Sequence, residues 1–189
     1  MASTLDSLRD RLALGLPPGF GLRDRIESDL PFLEALYAQV REEELRPVPW
    51  APEKKQAFLS DQFRKQHAFY REQFVDARWW MLLHGAEAIG RVYIKPEDGG
   101  IGLVEISIVS DLRNHGLGAA VMQGLIDHAD GNGLHISLHV EPYNPALRLY
   151  RRFGFKEIEA GGVYLFMRRP PASRTSIEND LVTGMLSIT

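Results

Sequence analysis

The sequence predicts an α/β or α+β fold built on a mixed sheet. Three observations carry this. Strand-like and helix-like runs follow one another in the order β-α-α-β-β-β-α-β-α-β-β. Short turn signals, Gly85-Ala86-Glu87 and Asp98-Gly99-Gly100, join neighbouring strands. One apolar run, Leu103 to Val109, passes through two closely spaced glycines straight into an amphipathic helix.

In chain order, Leu5, Leu8, Leu12 and Leu16 recur at helical spacing, and Pro17-Pro18-Gly19 stops that helix. Phe20 to Ile26 reads as a first strand. Ser28 or Asp29 would cap a helix with Pro31 in its first turn, running to about Val40. A polar stretch broken by Pro47 and Pro49 leads to a second helix, from Pro52 to about Glu72. Trp79 to His84, Ala88 to Ile94 and Leu103 to Val109 are the next three strands. Gly116 to about Asp130 is a helix whose Leu117, Val121, Met122, Leu125 and Ala129 share a face, and Gly131-Asn132-Gly133 ends it. A strand over His135 to Val140, a short helix over Pro145 to Arg152, and a hairpin-like pair, Lys156 to Ile158 with Val163 to Met167, complete the order. The chain divides into an N-terminal extension over 1–19, a domain over 20–169, and a polar tail over 170–189.

Composition excludes several classes. A net charge of −3 argues against a general affinity for nucleic acid, which needs a basic surface. With no cysteine there is no disulfide, thiolate metal site or cysteine nucleophile. No apolar run approaches the ~20 residues of a membrane span, and the N-terminus lacks a basic stretch followed by an apolar core. A soluble cytoplasmic protein is the expectation. His135 and His139 lie four apart on one strand, roughly 13 Å at about 3.3 Å per residue, too far to share an ion, so no metal site is expected.

The junction Arg113-Asn114-His115-Gly116-Leu117-Gly118-Ala119 holds the most chemical information. Glycines there leave backbone N–H groups uncovered, and the helix start adds unpaired N–H groups and the positive end of its dipole. Together these cradle an anion such as a pyrophosphate. The third glycine of a dinucleotide fingerprint is replaced by Val121, and no Gly-Lys-Ser/Thr triplet occurs. About thirty residues on comes Asn144-Pro145-Ala146-Leu147-Arg148-Leu149-Tyr150-Arg151-Arg152-Phe153-Gly154-Phe155.

These two segments, in this order, resemble the acetyl-CoA signatures of the GNAT superfamily of N-acetyltransferases, over roughly residues 20–169. The resemblance implies a mostly antiparallel central sheet that splays between strands four and five. The pantetheine arm of acetyl-CoA would enter the gap and pair with the backbone near Ile108 and Val109. It further implies that N–H groups from Arg113 to Ala119 bind the pyrophosphate. Arg113 would add a charge-assisted bond or stand solvated, and Asn144 would contact the pantetheine or serve as a turn residue. Asn144 and Tyr150 are six residues apart, where many members have seven.

Tyr150 takes the family's place near the CoA sulfur. A phenol with a reference pKa near ~10 would protonate a thiolate near ~8.5 without much uphill cost. Glu105 alternates with apolar Val104, Ile106 and Ile108, and a carboxylate in a central strand is costly unless paired or functional. It is the candidate general base. Glu42, Glu43 and Glu44, with Tyr37 and Tyr143, are candidate acceptor contacts, the glutamates otherwise forming a solvated helix end. One tryptophan of Trp79-Trp80 is available for a homodimer contact. The expected partners are acetyl-CoA and an amine. The expected activity is N-acetyl transfer by direct attack in a ternary complex, the alternative being an acyl-CoA-binding regulatory or scaffold domain.

Overall fold

The computed structural model describes residues 2–161 and 163–172; the tail from 173 onward lies outside the described residues. Seven strands form one sheet: β1 (Phe20–Asp24), β2 (Arg78–His84), β3 (Glu87–Glu97), β4 (Gly100–Ile108), β5 (His135–Val140), β6 (Lys156–Gly161) and β7 (Tyr164–Arg169). Their order across the sheet is β1-β2-β3-β4-β5-β7-β6. Every pairing is antiparallel except β4 with β5. The helices are α1 (Ala2–Gly15), α2 (Leu30–Leu45), α3 (Pro52–Gln73), α4 (Leu117–Asn132) and α5 (Leu147–Arg152). α2 runs one turn beyond the expected end near Val40, because nothing breaks the pattern before Pro47.

The β4–β5 pairing defines the architecture. It covers Gly100↔His135 to Leu103↔Leu138 and then stops, although both strands continue. The sheet therefore opens between them, as expected. At the closed end Glu97 reaches from β3 across the bare backbone of β4. Its Oε2 accepts a bond from Ser137 Oγ at 2.6 Å and lies 3.5 Å from His135 Nε2. Gly102 leaves room for this crossing: a Cβ there would come within 2.7 Å of Glu97 Oε1.

Just past the last β4–β5 pair, β4 carries a bulge. The β3 register runs Ile94↔Leu103 and then Tyr93↔Glu105, leaving Val104 without an opposite number. Side-chain parity shifts there. Leu103 and, beyond the bulge, Ile106 and Ile108 all join the main core, whereas Val104 joins no core cluster. The expected grouping of Val104 with Ile106 and Ile108 fails for this reason; Glu105 and Ser107 still share the opposite face.

The main core lies between the sheet and α1, α4 and α5. Leu8 and Leu12 of α1 are fully buried in it beside Val121, Met122 and Leu125 of α4. Gly124 lets the two helices touch, since a Cβ there would lie 2.9 Å from Leu12 Cδ2. A smaller core on the other face joins Leu33, Tyr37, Leu59, Phe63 and Met81 under α2 and α3. Asp29 is buried at the start of α2, held by both Arg23 Nη groups at 2.7 Å and by the Ile26 N–H at 2.8 Å. The Arg23 bond and the Ile26 N–H hold its carboxyl below the usual range, against the opposing pull of burial. Trp80 is buried in the main core, and Trp79 stacks on Tyr70 and meets Tyr93 edge to face. Trp80 is thus unavailable as a subunit contact, and Trp79 is engaged within the chain.

His128 of α4 is 1% exposed, and both its ring nitrogens are buried without a partner. Burial, with a smaller push from Arg11, lowers its pKa. The unfolded chain then binds a proton below about pH 6.5 that the folded chain resists, so the contribution is complete above that pH and is lost as pH falls. We expect urea midpoints to drop between pH 8 and 5.5, and His128→Leu to reduce that drop. An identical drop in parent and variant would reject this account.

Candidate active site

Gly116 and Gly118 sit at the open end of the β4–β5 gap. Gly116 caps α4 with φ +84°, and Asn114 also adopts the left-handed region at φ +62°. Alternating conformations of this kind turn successive N–H groups toward one concavity. A Cβ on Gly118 would meet nothing nearer than Ile108 Cδ1 at 4.0 Å, so packing within the chain does not require glycine there. The bare surface is available to something outside the chain.

Arg113 is half-buried rather than solvated: its Nε donates to the Ile108 carbonyl at 2.8 Å, and its Nη2 is buried without a partner. His115 is exposed, its Nδ1 2.8 Å from the Arg113 carbonyl. The Val109 N–H is already spent on the Ile89 carbonyl at 2.9 Å. N–H groups alternate between the two edges of a strand, so that of Ile108 faces the gap instead. Of the two residues expected to meet the pantetheine arm, Ile108 is the one whose N–H faces the gap.

Across the gap, Asn144 is exposed and its Oδ1 accepts from the Ala146 N–H at 2.9 Å. This is the turn role weighed from the sequence, and it leaves the amide NH₂ for other contacts. Tyr143 is 96% exposed. Tyr150 on α5 is buried, with its ring 5.8 Å from that of Phe155. Burial, reinforced by the Glu105 charge, pushes its phenol up to about 12. The expectation of an ordinary phenol is corrected: full proton transfer to a thiolate with a reference value near ~8.5 is distinctly uphill.

Glu105 lies on the other side of the opening, and its surroundings were not legible in the sequence. Arg91, 2% exposed on β3, donates through Nη2 to Glu105 Oε1. Ser107 Oγ donates to the same oxygen at 2.7 Å. Glu105 Oε2 is buried without a hydrogen-bond partner. Tyr37, Tyr70 and Tyr93 are all raised by burial first, with the Glu105 charge adding to each. The Glu105 charge therefore makes four phenols harder to ionise, Tyr150 among them. Ser107 shares the face of Glu105 by simple alternation, whereas Arg91, Tyr70 and Tyr93 were missed because their approach depends on the bulge at Val104 and on the seating of α3.

The remaining acceptor candidates separate. Tyr37 is buried beside Phe63 and 5.9 Å from the Arg41 guanidinium. Glu44 is tied to Arg41 at 2.8 Å, and Arg41 also reaches Glu141 at 3.2 Å. Glu42 is exposed, and the Glu43 side chain lies outside the described residues. His135 and His139 line a surface hollow of about 530 Å³ with Glu97, Asp98 and Glu159, on the side of the sheet where β4 begins, away from the glycine junction. Among the described residues no group of three or more histidine, aspartate or glutamate side chains can hold a metal ion. No helix among them is long and apolar enough to cross a membrane.

The model of the GNAT acetyltransferase family matches residues 37–155, and the chain belongs to that family. It is an acyltransferase of the acetyl-transferring class. Solved structures agree on the fold. The chain is similar to the PaiA N-acetyltransferase of Thermoplasma acidophilum, solved with coenzyme A, at 14% identity and a TM-score of 0.61, covering 80% of this chain and 98% of that one. It is also similar to an acetyltransferase from Thermus thermophilus, at 23% identity and a TM-score of 0.58, over 80% and 96%. The ribosomal-protein-S18-alanine N-acetyltransferase of Escherichia coli aligns at 20% identity and a TM-score of 0.54, over 82% and 95%. No curated relative matches the sequence.

The two glycines should respond differently to substitution. Gly116→Ala forces a Cβ into a left-handed residue and should cost about 1–2 kcal/mol. Gly118→Ala meets open space on a helix and should be neutral or stabilising by up to about 1 kcal/mol. Denaturant midpoints of the two variants check this; equal losses would contradict it.

Proposed function

We propose that this chain transfers an acetyl group from acetyl-CoA to a primary amine of a small molecule or peptide, by direct attack in a ternary complex. The observation that carries the reading is the sheet opening beyond Leu103, with the glycine junction at its mouth and Tyr150 and Glu105 on either side. The open surface at Gly118 and the unpartnered Arg113 Nη2 suit a pyrophosphate. The Ile108 N–H, facing the gap, suits the pantetheine arm or the thioester oxygen, and the free Asn144 amide suits the pantetheine amides. Similar structures named as N-acetyltransferases support an amine as the acceptor.

The chemistry follows from placement. The acceptor ammonium loses a proton to Glu105, directly or through water. The amine nitrogen attacks the thioester carbonyl carbon, the C–S bond breaks, and the electron pair goes to sulfur. The Tyr150 O–H donates to that sulfur as charge develops, and the second proton, shed by the nitrogen as it becomes an amide, restores the phenol through water. Its raised pKa makes it a hydrogen-bond donor first; transfer completes as the thiolate, held away from water, becomes a stronger base. The products are the N-acetyl amine and the CoA thiol. Much of the acceleration comes from holding amine and thioester in attack geometry.

Acetyl-CoA at ~100 times its dissociation constant should stabilise the parent by about 2.7 kcal/mol. Gly118→Val should remove most of that shift while remaining folded, because its side chain fills the phosphate's approach. A folded variant stabilised as well as the parent would place the cradle elsewhere. The transferase reading itself is tested by thiol release from acetyl-CoA with a panel of amines.

Tyr150→Phe keeps the ring and removes the proton. Turnover should fall by ~10²–10⁴-fold while the dissociation constant for acetyl-CoA changes little. Steady-state turnover beside direct binding makes the comparison. Parental turnover, with chemistry shown to be rate-limiting, would make Tyr150 a packing residue.

A further inference from the structure

Arg91 is the most deeply buried guanidinium on the acceptor side, in the middle of β3 directly opposite Ser107. Burying an arginine there is costly unless its partners return the loss. The partners are incomplete in a particular way. Nη2 serves both Glu105 Oε1 and Gln66 Oε1, the latter at 3.2 Å, while Nε is buried with no partner. The guanidinium lies 5.2 Å from the centre of the Tyr93 ring.

On the carboxylate, Oε1 takes both Arg91 and Ser107, and Oε2 takes nothing. An ion pair built for stability alone would engage both oxygens through the two-pronged face of the guanidinium. Here the Arg91 and Ser107 donors converge on one oxygen, which fixes the carboxylate from one side.

We propose that Arg91 is a positioning residue. By fixing Glu105 through Oε1, it holds the carboxylate in the orientation in which it takes the acceptor's proton. The inference rests on the reading of Glu105 as the proton acceptor. Its geometry comes from the bulge at Val104, which brings Arg91 and Glu105 to the same face, and from Gln66 on α3, which holds the guanidinium from above. Lysine is a poor substitute, since its compact ammonium does not reproduce the planar guanidinium that lies beside the Tyr93 ring while Nη2 serves Gln66 and Glu105.

The test is a double-mutant cycle on the full chain with acetyl-CoA and the best amine of the panel. Glu105→Gln should lower kcat by ~10²-fold. Arg91→Gln should lower kcat by a similar factor with KM little changed, because the lost interaction matters in the transition state. The double variant should be no slower than either single one, since the two residues act as a unit. Arg91→Lys should recover only part of the loss, and acetyl-CoA affinity should stay within about twofold in all four proteins.

Multiplicative losses in the double variant, or full recovery by lysine, would make Arg91 a structural residue and overturn the proposal. So would parental kcat in Glu105→Gln. Should Arg91→Gln not fold, Arg91→Lys and Arg91→Lys/Glu105→Gln complete the same cycle, with the same outcomes deciding. A parent that turns over no amine overturns the transferase reading itself, and this assignment with it.

Discussion

One extra residue in β4 organises the molecule. Val104 has no partner on β3, and the β4–β5 ladder ends at the residue before it. A bulge bends and twists its strand, so a strand that bulges here turns away from a parallel neighbour that does not. The gap is a consequence of register. So is its chemistry: without the bulge, Arg91 would stand opposite Ile106, on the face away from Glu105. With it, Arg91 stands opposite Ser107, and the cation, hydroxyl and carboxylate meet.

An opened sheet needs a firm closed end. Glu97 provides part of it by crossing Gly102 of β4 to reach β5. This side-chain tie spans three strands where only four residues of backbone pairing join the last two. At the other end, α4 must hold its N-terminus at the mouth of the gap. It is wedged in place by α1, whose Leu12 seats against Gly124. Closed end and mouth are thus held by different means, polar cross-strand contacts at one and apolar helix packing at the other.

The buried charge gives the site its electrostatic character. Glu105 makes every nearby phenol harder to ionise, Tyr150 included. A tyrosine kept protonated in this way is a dependable donor and a reluctant acid. Arg91 offsets part of the negative potential, yet bonds to only one carboxylate oxygen. Arg41, in contrast, is taken up by Glu44 and Glu141, so the second cation on this side is largely neutralised.

Local features of the chain are legible in its sequence. Apolar periodicity marks α4, the proline pair stops α1, and glycine signals mark the turns, because each is governed by neighbours within a few residues. The glycine junction and the Asn144–Phe155 segment carry their family resemblance for the same reason. Backbone conformation at such a junction is dictated by which residues lack a Cβ, and Gly116 indeed stands at φ +84°. The positions of Tyr150 and Glu105 on their elements were legible too. Their environments were not. An ordinary phenol became a strongly perturbed one, the Val109 N–H is taken by Ile89, and a lone carboxylate acquired Arg91. Each of these depends on which strand lies alongside and in what register, and a single unpaired residue changes that register for everything beyond it. Alternation in one strand cannot reveal a bulge, because the bulge exists only relative to its neighbour; the tertiary structure alone decided it.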